Sequence, residues 1–187
     1  MIKATIEEIS NNFLQLAKHS TEEIKKAKDI MIASLENGNK IMFCGNGGSA
    51  ADSQHLAAEL IGRYRINRDP ISAVSLTTDT STITAIANDF SFDDIFSRQV
   101  MAIGKRGDVL YAISTSGNSK NIIKAIHQSR NQGIKVVGLT GGDGKLMENN
   151  CDVLIKVPAD RPDRIQEMHI AVGQIICNEI EMKFYSK

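Results

Sequence analysis

The sequence has no net charge, no long apolar run and no paired cysteines, and each absence narrows what the protein can do. Its 22 basic and 22 acidic residues cancel, so we expect no non-specific binding to nucleic acid, which needs a basic surface. No apolar run approaches the length of a membrane span, and residues 1–8 are too polar for a signal peptide. The cysteines, Cys44, Cys151 and Cys177, lie far apart and form no CxxC pair. We therefore expect buried, reduced thiols in a cytoplasmic protein that binds neither membranes nor nucleic acid.

What the sequence does contain is an alternation of apolar runs and helical patterns. The runs that predict β-strands are 40–44, 73–76, 108–114, 134–139 and 152–157. Their consecutive apolar positions are typical of strands buried on both faces. The intervening segments that predict helices, or helices with loops, are 49–62, 80–104, 118–132 and 143–149. The alternation predicts an α/β fold, a three-layer αβα sandwich around a five-stranded parallel sheet.

Helical segments also precede and follow the predicted sheet. Residues 1–37 carry an apolar stripe at helical spacing, broken near Ser20 and Thr21, either of which could cap a second helix. Residues 162–185 predict one long helix. We therefore predict a single domain over the whole chain of 187 residues, with 1–37 as an N-terminal helical segment and 38–187 as the αβα core.

A glycine-rich segment, residues 45–49, follows the first predicted strand and opens into an alanine-rich helical pattern. We call it the glycine turn. Glycine lets the backbone approach an anion closely, and a helix N-terminus presents free N–H groups to it. Residues 45–50 also satisfy the dinucleotide fingerprint G-x-G-x-x-A, but no acidic residue ends the next strand to bind a ribose, since Asp69 precedes that strand and Asp79 lies well beyond it. The pattern favours a phosphate group over a dinucleotide.

A second segment, residues 114–119, follows the third predicted strand and reads Ser-Thr-Ser-Gly-Asn-Ser. We call it the hydroxyl turn. Four hydroxyls around a glycine, directly before a predicted helix, suit a phosphate monoester bound without lysine or Mg²⁺. The alternative is a helix cap, since serine and threonine favour caps, although one capping residue accounts for only one hydroxyl. We predict that a phosphate lies between this turn and the glycine turn.

His55 and Glu59 lie four residues apart and share one face of the helix that follows the glycine turn. A surface ion pair is common at this spacing, and a metal site or general base beside the phosphate is the alternative. The spacing alone leaves both open. A phosphate site next to a potential base indicates chemistry on a phosphorylated small molecule.

Together these motifs resemble the sugar isomerase (SIS) superfamily and, within it, the phosphoheptose isomerases. The resemblance begins near residue 40 and is carried by residues 45–52, 54–55, 59–60, 62–64, 76–81, 88–89, 96–99, 113–119 and 164–167. It implies interconversion of sedoheptulose 7-phosphate and D-glycero-D-manno-heptose 7-phosphate, the first step of nucleotide-heptose synthesis for surface polysaccharides such as lipopolysaccharide. It also implies a homotetramer with its sites at subunit contacts.

The resemblance implies three groups of site residues. Those implied to bind the sugar phosphate are Asn46, Gly47, Gly48, Ser49, Glu59, Asn88, Asp89, Ser114, Thr115, Ser116, Ser119 and Gln166. Those at the implied zinc positions are His55, Glu59, Gln166 and Gln174. The catalytic positions are Glu59, as acid and base, and Gln174. An aldose–ketose isomerisation through an enediolate needs such a carboxylate base and a group, such as Zn²⁺, that stabilises the oxyanion.

At Gln174 the sequence departs from the family pattern, which has a histidine there as fourth zinc ligand and second proton carrier. A neutral amide is a poor zinc ligand and relays no proton at neutral pH. A sister branch, which resembles the initiator-associating protein of bacterial replication, also lacks this histidine and is a tetrameric binding scaffold. That branch alters the glycine turn and the glutamate, whereas Gly48 and Glu59 are intact here. We favour an isomerase, with a binding scaffold or a phosphosugar-sensing module as alternatives.

Overall fold

The computed structural model describes residues 1–186, which form five strands and seven α-helices. The strands are β1 Ile41–Gly45, β2 Ala73–Ser75, β3 Val109–Ile113, β4 Lys135–Gly141 and β5 Val153–Val157. The helices are α1 Ile2–His19, α2 Thr21–Glu36, α3 Gly48–Ile61, α4 Thr80–Asp89, α5 Ile95–Ile103, α6 Lys120–Asn131 and α7 Pro162–Tyr185. Short 3₁₀ turns cover Phe92–Asp94 and Lys145–Met147. The second turn is all the helix that forms within the predicted segment 143–149.

All strands are parallel and lie in the order β2-β1-β3-β4-β5. Parallel strands bring their carboxyl ends to one edge of the sheet, which is where ligands of open α/β sheets bind. Because β1 and β3 are neighbours, with Phe43 opposite Tyr111, the glycine turn and the hydroxyl turn leave the sheet side by side. The predicted α/β class with a five-stranded parallel sheet is confirmed.

The sheet is buried on both faces, as its continuous apolar strands predict. Successive residues of β1 alternate between the two faces: Ile41 and Phe43 pack with α2, α3 and α7, whereas Met42 and Cys44 pack with α5 and α6. This arrangement gives the three layers. It also leaves α3 and α7 in contact on one face, and the site described below lies between them.

The boundary between α1 and α2 is held by hydrogen bonds that the sequence did not predict. Neither Ser20 nor Thr21 caps α2 through its side chain. Ser20 Oγ donates to the carbonyl of Lys156 in β5 at 2.8 Å, and Thr21 Oγ1 donates to the carbonyl of Ala17 at 2.6 Å. The predicted cap is therefore wrong, because both hydroxyls have carbonyl partners. The division of the domain at residue 37 stays a prediction, and Lys187 lies outside the described residues.

Within residues 1–186, no helix has the length and apolar character of a membrane span. The three cysteines are free thiols, with Cys44 and Cys177 buried and Cys151 partly buried. Burial raises the pKa of Cys177 to about 12, so this side chain is a protonated thiol at neutral pH.

Candidate active site

The glycine turn is fixed to the helix that follows the hydroxyl turn. Asn46 Nδ2 donates to Asn121 Oδ1 at 2.9 Å, and Asn121 Nδ2 donates to Asn46 Oδ1 at 2.8 Å. Asn121 is the second residue of α6 and is buried. This reciprocal amide pair joins the two predicted phosphate-binding turns. Asn121 is absent from the predicted site, since nothing in the sequence links positions 75 residues apart.

Two glycines of this turn are required for different reasons. Gly47 has φ +54°, in the left-handed region, and precedes the first residue of α3. A Cβ on Gly48 would lie 2.8 Å from Gln166 Nε2, closer than real contacts allow. The close approach places the Gln166 amide of α7 directly against the glycine turn. Next to it, Ser49 is only 3% exposed.

The hydroxyl turn does not use its hydroxyls as a helix cap. Ser119 is the N-cap of α6, yet its side chain accepts no hydrogen bond from that helix. Ser114 Oγ instead donates to Ser119 Oγ at 3.1 Å, and Ser116 Oγ accepts from the N–H of Asn118 at 3.3 Å. The capping alternative is therefore wrong for this turn. In the first turn of α6 the N–H of Ile122 donates to Asn121 Oδ1, and the N–H groups of Lys120 and Asn121 remain for a ligand.

His55 and Glu59 of α3 meet Gln174 of α7, and we call these three residues the α3–α7 cluster. His55 Nε2 lies 2.9 Å from Glu59 Oε1, and Gln174 Nε2 lies 3.4 Å from His55 Nε2. Their helices pack closely, since a Cβ on Gly173 would lie 2.5 Å from Leu56 Cδ1. The side chains of His55 and Glu59 are 47% and 23% exposed. The pair at this spacing does form, but a third residue from another helix joins it.

Asp52 lies one turn before His55 on the same face of α3 and is absent from the predicted site. Burial raises its pKa to about 6, while His55 lowers it in part. Its Oδ2 atom is buried, with no hydrogen-bond partner among the described residues. The spacing of residues 52, 55 and 59 on one helical face was the available signal.

His169 does not replace the histidine that the family has at position 174. It is five residues earlier in α7, roughly 140° around the helix, and 1% exposed. Burial lowers its pKa to about 4. The ring is therefore neutral at physiological pH.

The structure does not gather all predicted site residues within one chain. Asn88 and Asp89 end α4 exposed, and Asn88 Nδ2 donates to Asp89 Oδ1 at 2.8 Å. Gln166 lies at the glycine turn, two turns of α7 before Gln174, which is a rise of about 12 Å. The site of one chain therefore has two parts: the joined turns with Gln166, and the α3–α7 cluster.

We tested whether these residues fit the zinc ion that the family resemblance implies. Across residues 1–186, no three His, Cys, Asp or Glu side chains form a metal-binding group. The α3–α7 cluster offers one imidazole nitrogen, one carboxylate and the amide of Gln174, whose oxygen faces His55 once the amide is turned. Three ligands with an open fourth position are the pattern of catalytic zinc. The donor set fits a divalent cation, with the Gln174 amide as its weak member.

The comparisons with known proteins agree with this fold. The model of the SIS domain family matches residues 6–141, which makes this an SIS-domain protein. A phosphoheptose isomerase of Rhodospirillum rubrum is 52% identical over 180 residues, which cover 96% of this chain and 95% of that protein. The solved phosphoheptose isomerase of Neisseria gonorrhoeae is 44% identical with a TM-score of 0.91, and the two chains cover each other to 96%. That of Francisella tularensis is 35% identical with a TM-score of 0.93, over 97% of this chain and 96% of its own. The chain belongs to the phosphoheptose isomerase family, and the resemblance predicted from its motifs is confirmed.

Proposed function

We propose that this sugar-phosphate isomerase converts sedoheptulose 7-phosphate to D-glycero-D-manno-heptose 7-phosphate. The observation that carries the proposal is the α3–α7 cluster, in which the Glu59 carboxylate is held 2.9 Å from His55. Glu59 and His55 lie on α3, the helix that begins at the glycine turn. A carboxylate base and a phosphate-binding turn on one rigid element are what an isomerase of phosphorylated sugars needs.

The phosphate end of the substrate is assigned to the two joined turns. The amide pair between Asn46 and Asn121 holds the turns together. We assign the phosphate to Ser49, Ser114, Thr115, Ser116 and Ser119, and the sugar to Asn46, Gly47, Gly48, Asn88, Asp89, Glu59 and Gln166. The N-terminus of α6 adds backbone N–H donors and the positive end of a helix dipole.

The proton transfer is assigned to Glu59. Its carboxylate removes the proton from C1 of the ketose and returns it to C2, while the proton of the C1 hydroxyl moves to the oxygen on C2. The intermediate is an enediolate, whose negative charge needs a hydrogen-bond donor or a cation. His55 holds Glu59 in place and is the donor nearest to it.

Zinc, when bound, would be held by His55, Glu59 and the Gln174 amide oxygen, and it would polarise the substrate carbonyl and stabilise the enediolate charge. Gln166 remains a predicted ligand as well, although it lies against Gly48 in a single chain. Because an amide oxygen binds zinc weakly, we expect a lower zinc affinity than four strong ligands would give.

We further propose a homotetramer whose active sites lie at subunit contacts. An apolar groove of about 530 Å³ runs between α1, α2 and α7 and is lined by Phe13, Leu16 and Ile175 among others. Ile6, Leu14 and Ile175 are exposed large apolar side chains of these helices. A neighbouring subunit would also explain why Gln166 is apart from the α3–α7 cluster within one chain. Light scattering at micromolar concentration tests this, and a stable monomer would contradict it.

We propose that the reaction is the first step of nucleotide-heptose synthesis for surface polysaccharide. We also propose that the protein acts in the cytoplasm. This pathway and location are proposals that rest on the family resemblance. The three free thiols are consistent with a reducing compartment.

The phosphate assignment predicts a change in KM without a change in fold. Replacing Ser116 and Ser119 together with alanine removes two hydroxyls of the turn, so KM for the sugar phosphate should rise sharply. Ser129→Ala, at another serine hydroxyl on α6, is the control for a general effect on that helix. An unchanged KM in the double variant would contradict the assignment.

The alternatives are a binding scaffold or a phosphosugar-sensing module, and Gln174 is the observation that favours them. Incubation with sedoheptulose 7-phosphate, with and without Zn²⁺, separates the three by following the aldose product. Turnover that Glu59→Gln abolishes supports the isomerase. Substrate binding without turnover indicates the sensing module, and neither binding nor turnover indicates the scaffold.

A further inference from the structure

A cavity of about 430 Å³ lies beyond the carboxyl ends of β3, β4 and β5, and the loops after β4 and β5 that line it have no role in the site as assigned so far. Thr115 and Ser116 of the hydroxyl turn line one side of it. The other side includes Asp143, Lys145 and Asp160, from the loops that follow β4 and β5. Among residues 1–186, Lys145 is the one cationic side chain that lines the cavity.

The backbone at Lys145 is unusual for a residue with a side chain. Its φ is +42°, and it is the one described residue other than glycine with a positive φ. The left-handed region crowds the Cβ of a lysine against its own carbonyl, so glycine is the residue that this position favours. The Lys145 ammonium also makes no ion pair in the part of the chain that the structure describes. Local structure therefore gives no reason for a lysine here.

The loop that carries Lys145 is packed directly on the hydroxyl turn. The N–H of Gly141 donates to the carbonyl of Thr115 at 3.2 Å. A Cβ on Gly117, at the centre of the hydroxyl turn, would lie 2.5 Å from the carbonyl oxygen of Gly144. The residue next to Lys145 therefore touches the turn to which the phosphate is assigned.

We propose that Lys145 is the cationic contact for the phosphate group of the substrate, at Thr115 and Ser116, which belong both to the hydroxyl turn and to the lining of the cavity. This inference rests on the proposed phosphate position. A phosphate monoester dianion bound by hydroxyls, N–H groups and a helix N-terminus meets only partial positive charges, and an ammonium adds a full point charge. Without Lys145, the phosphate would face the carboxylates of Asp143 and Asp160 with no cation in the cavity. The proposal differs here from the sequence prediction of a phosphate site without lysine, and the experiment below decides between them.

The test uses the full-length protein and three variants at this position. Lys145→Gly removes the charge and suits the left-handed backbone, so it is expected to fold at least as well as the wild type. Lys145→Asn removes the charge with a residue that tolerates φ > 0, and Lys145→Arg keeps the charge. Two quantities are measured: the Kd for inorganic phosphate by calorimetry, and KM and kcat with sedoheptulose 7-phosphate.

We expect the glycine and asparagine variants to raise both Kd and KM about tenfold, with kcat within about twofold of the wild type. The arginine variant should stay close to the wild type, and the salt dependence of phosphate binding should weaken when the charge is lost. Equal phosphate affinity in wild type and Lys145→Gly, with affinity lost in Ser116→Ala, would overturn the role of Lys145 and leave the phosphate position intact. Affinity that neither substitution changes would overturn both.

Discussion

Two glutamates lie between α3 and α7, and their surroundings are opposite. Glu59 accepts a single described side-chain hydrogen bond, from His55, and its side chain is 23% exposed. Glu181 is 2% exposed and accepts from the N–H groups of Tyr64, Arg65 and Ile66 at 2.7–3.1 Å. It also pairs with the fully buried Arg68 at 2.8 Å. One carboxylate keeps free lone pairs, and the other has none to offer.

The difference separates the group proposed as the catalytic base from a group with a structural role. A base needs free lone pairs and access to substrate, and Glu59 has free lone pairs and a side chain that is 23% exposed. Glu181 fixes the chain after α3 onto α7, and Arg68 extends the network by donating to the backbone carbonyls of Glu59 and Leu60. The Glu181–Arg68 pair therefore holds the C-terminal end of α3, the helix that carries Glu59. Burial alone would raise the pKa of Glu181, but the backbone donors and Arg68 lower it below its ordinary value.

The largest expected effect is at Glu59. Glu59→Gln keeps the shape of the side chain but removes the base, so kcat should fall by about 10²–10⁴-fold. Steady-state kinetics with sedoheptulose 7-phosphate measure this, and thermal unfolding checks that stability is unchanged within about 0.5 kcal/mol. Retained turnover would mean that another group is the base.

The second effect is on stability. Glu181→Ala leaves the Arg68 charge buried without its partner and frees three backbone N–H groups, so the free energy of unfolding should fall by about 3–5 kcal/mol. Chemical denaturation measures it. The matched control is Glu36→Ala. Glu36, at the end of α2, is the exposed ion-pair partner of Lys183, which lies on α7 with Glu181, and its loss should cost less than about 1 kcal/mol. If the two substitutions lower the free energy of unfolding equally, Glu181 does not have the structural role assigned to it.

The third effect is a gain of activity. Gln174→His places a zinc ligand and proton carrier beside His55, so kcat should rise by about 10²-fold and zinc should bind more tightly. Gln174→Ala removes the weak amide ligand and should lower the zinc affinity. Wild-type activity equal to that of the histidine variant would show that a second proton carrier is dispensable here.

The smallest effect is expected at Asp52, which lies on the same face of α3 as His55 and Glu59. Its folded pKa of about 6 is above the ordinary 3.8, so the ionised form is less stable in the folded protein than in the unfolded chain. Asp52→Asn should therefore increase the free energy of unfolding above pH 6, by about 1–3 kcal/mol, and the gain should vanish below about pH 4. Denaturation in the presence of a chelator, across this pH range, measures it. A gain that does not depend on pH would show that ionisation is not its cause.

The sequence predicts the order of strands and helices well because each element carries its own local pattern. Buried parallel strands such as β3 and β4 are mostly continuous apolar runs. The glycine turn and the hydroxyl turn, which follow β1 and β3, are recognisable by their glycines and hydroxyls. The pairing of His55 with Glu59 follows from helical spacing alone. These features need no knowledge of distant parts of the chain.

The features that the sequence did not predict are contacts between distant segments. Ser20 bonds Lys156, 136 positions away, instead of capping a helix. Asn121 meets Asn46 only because β1 and β3 are neighbours in the sheet. The partners of Glu181 lie more than 110 residues before it. Such contacts depend on packing, which local patterns do not encode.

The parallel sheet also makes the electrostatic potential at its carboxyl edge positive, although the molecule is neutral overall. Helices α3, α6 and α7 each begin at the carboxyl edge of the sheet, after β1, β3 and β5. The N-terminus of a helix carries about half a positive charge, so three such ends make this edge electropositive although the chain has no net charge. The field fades within about 10 Å at 0.1 M salt, so it acts on an anion only once the anion has arrived at the surface. With the phosphate bound as proposed, this field would turn the phosphate end of the substrate inward, and the uncharged sugar end would follow.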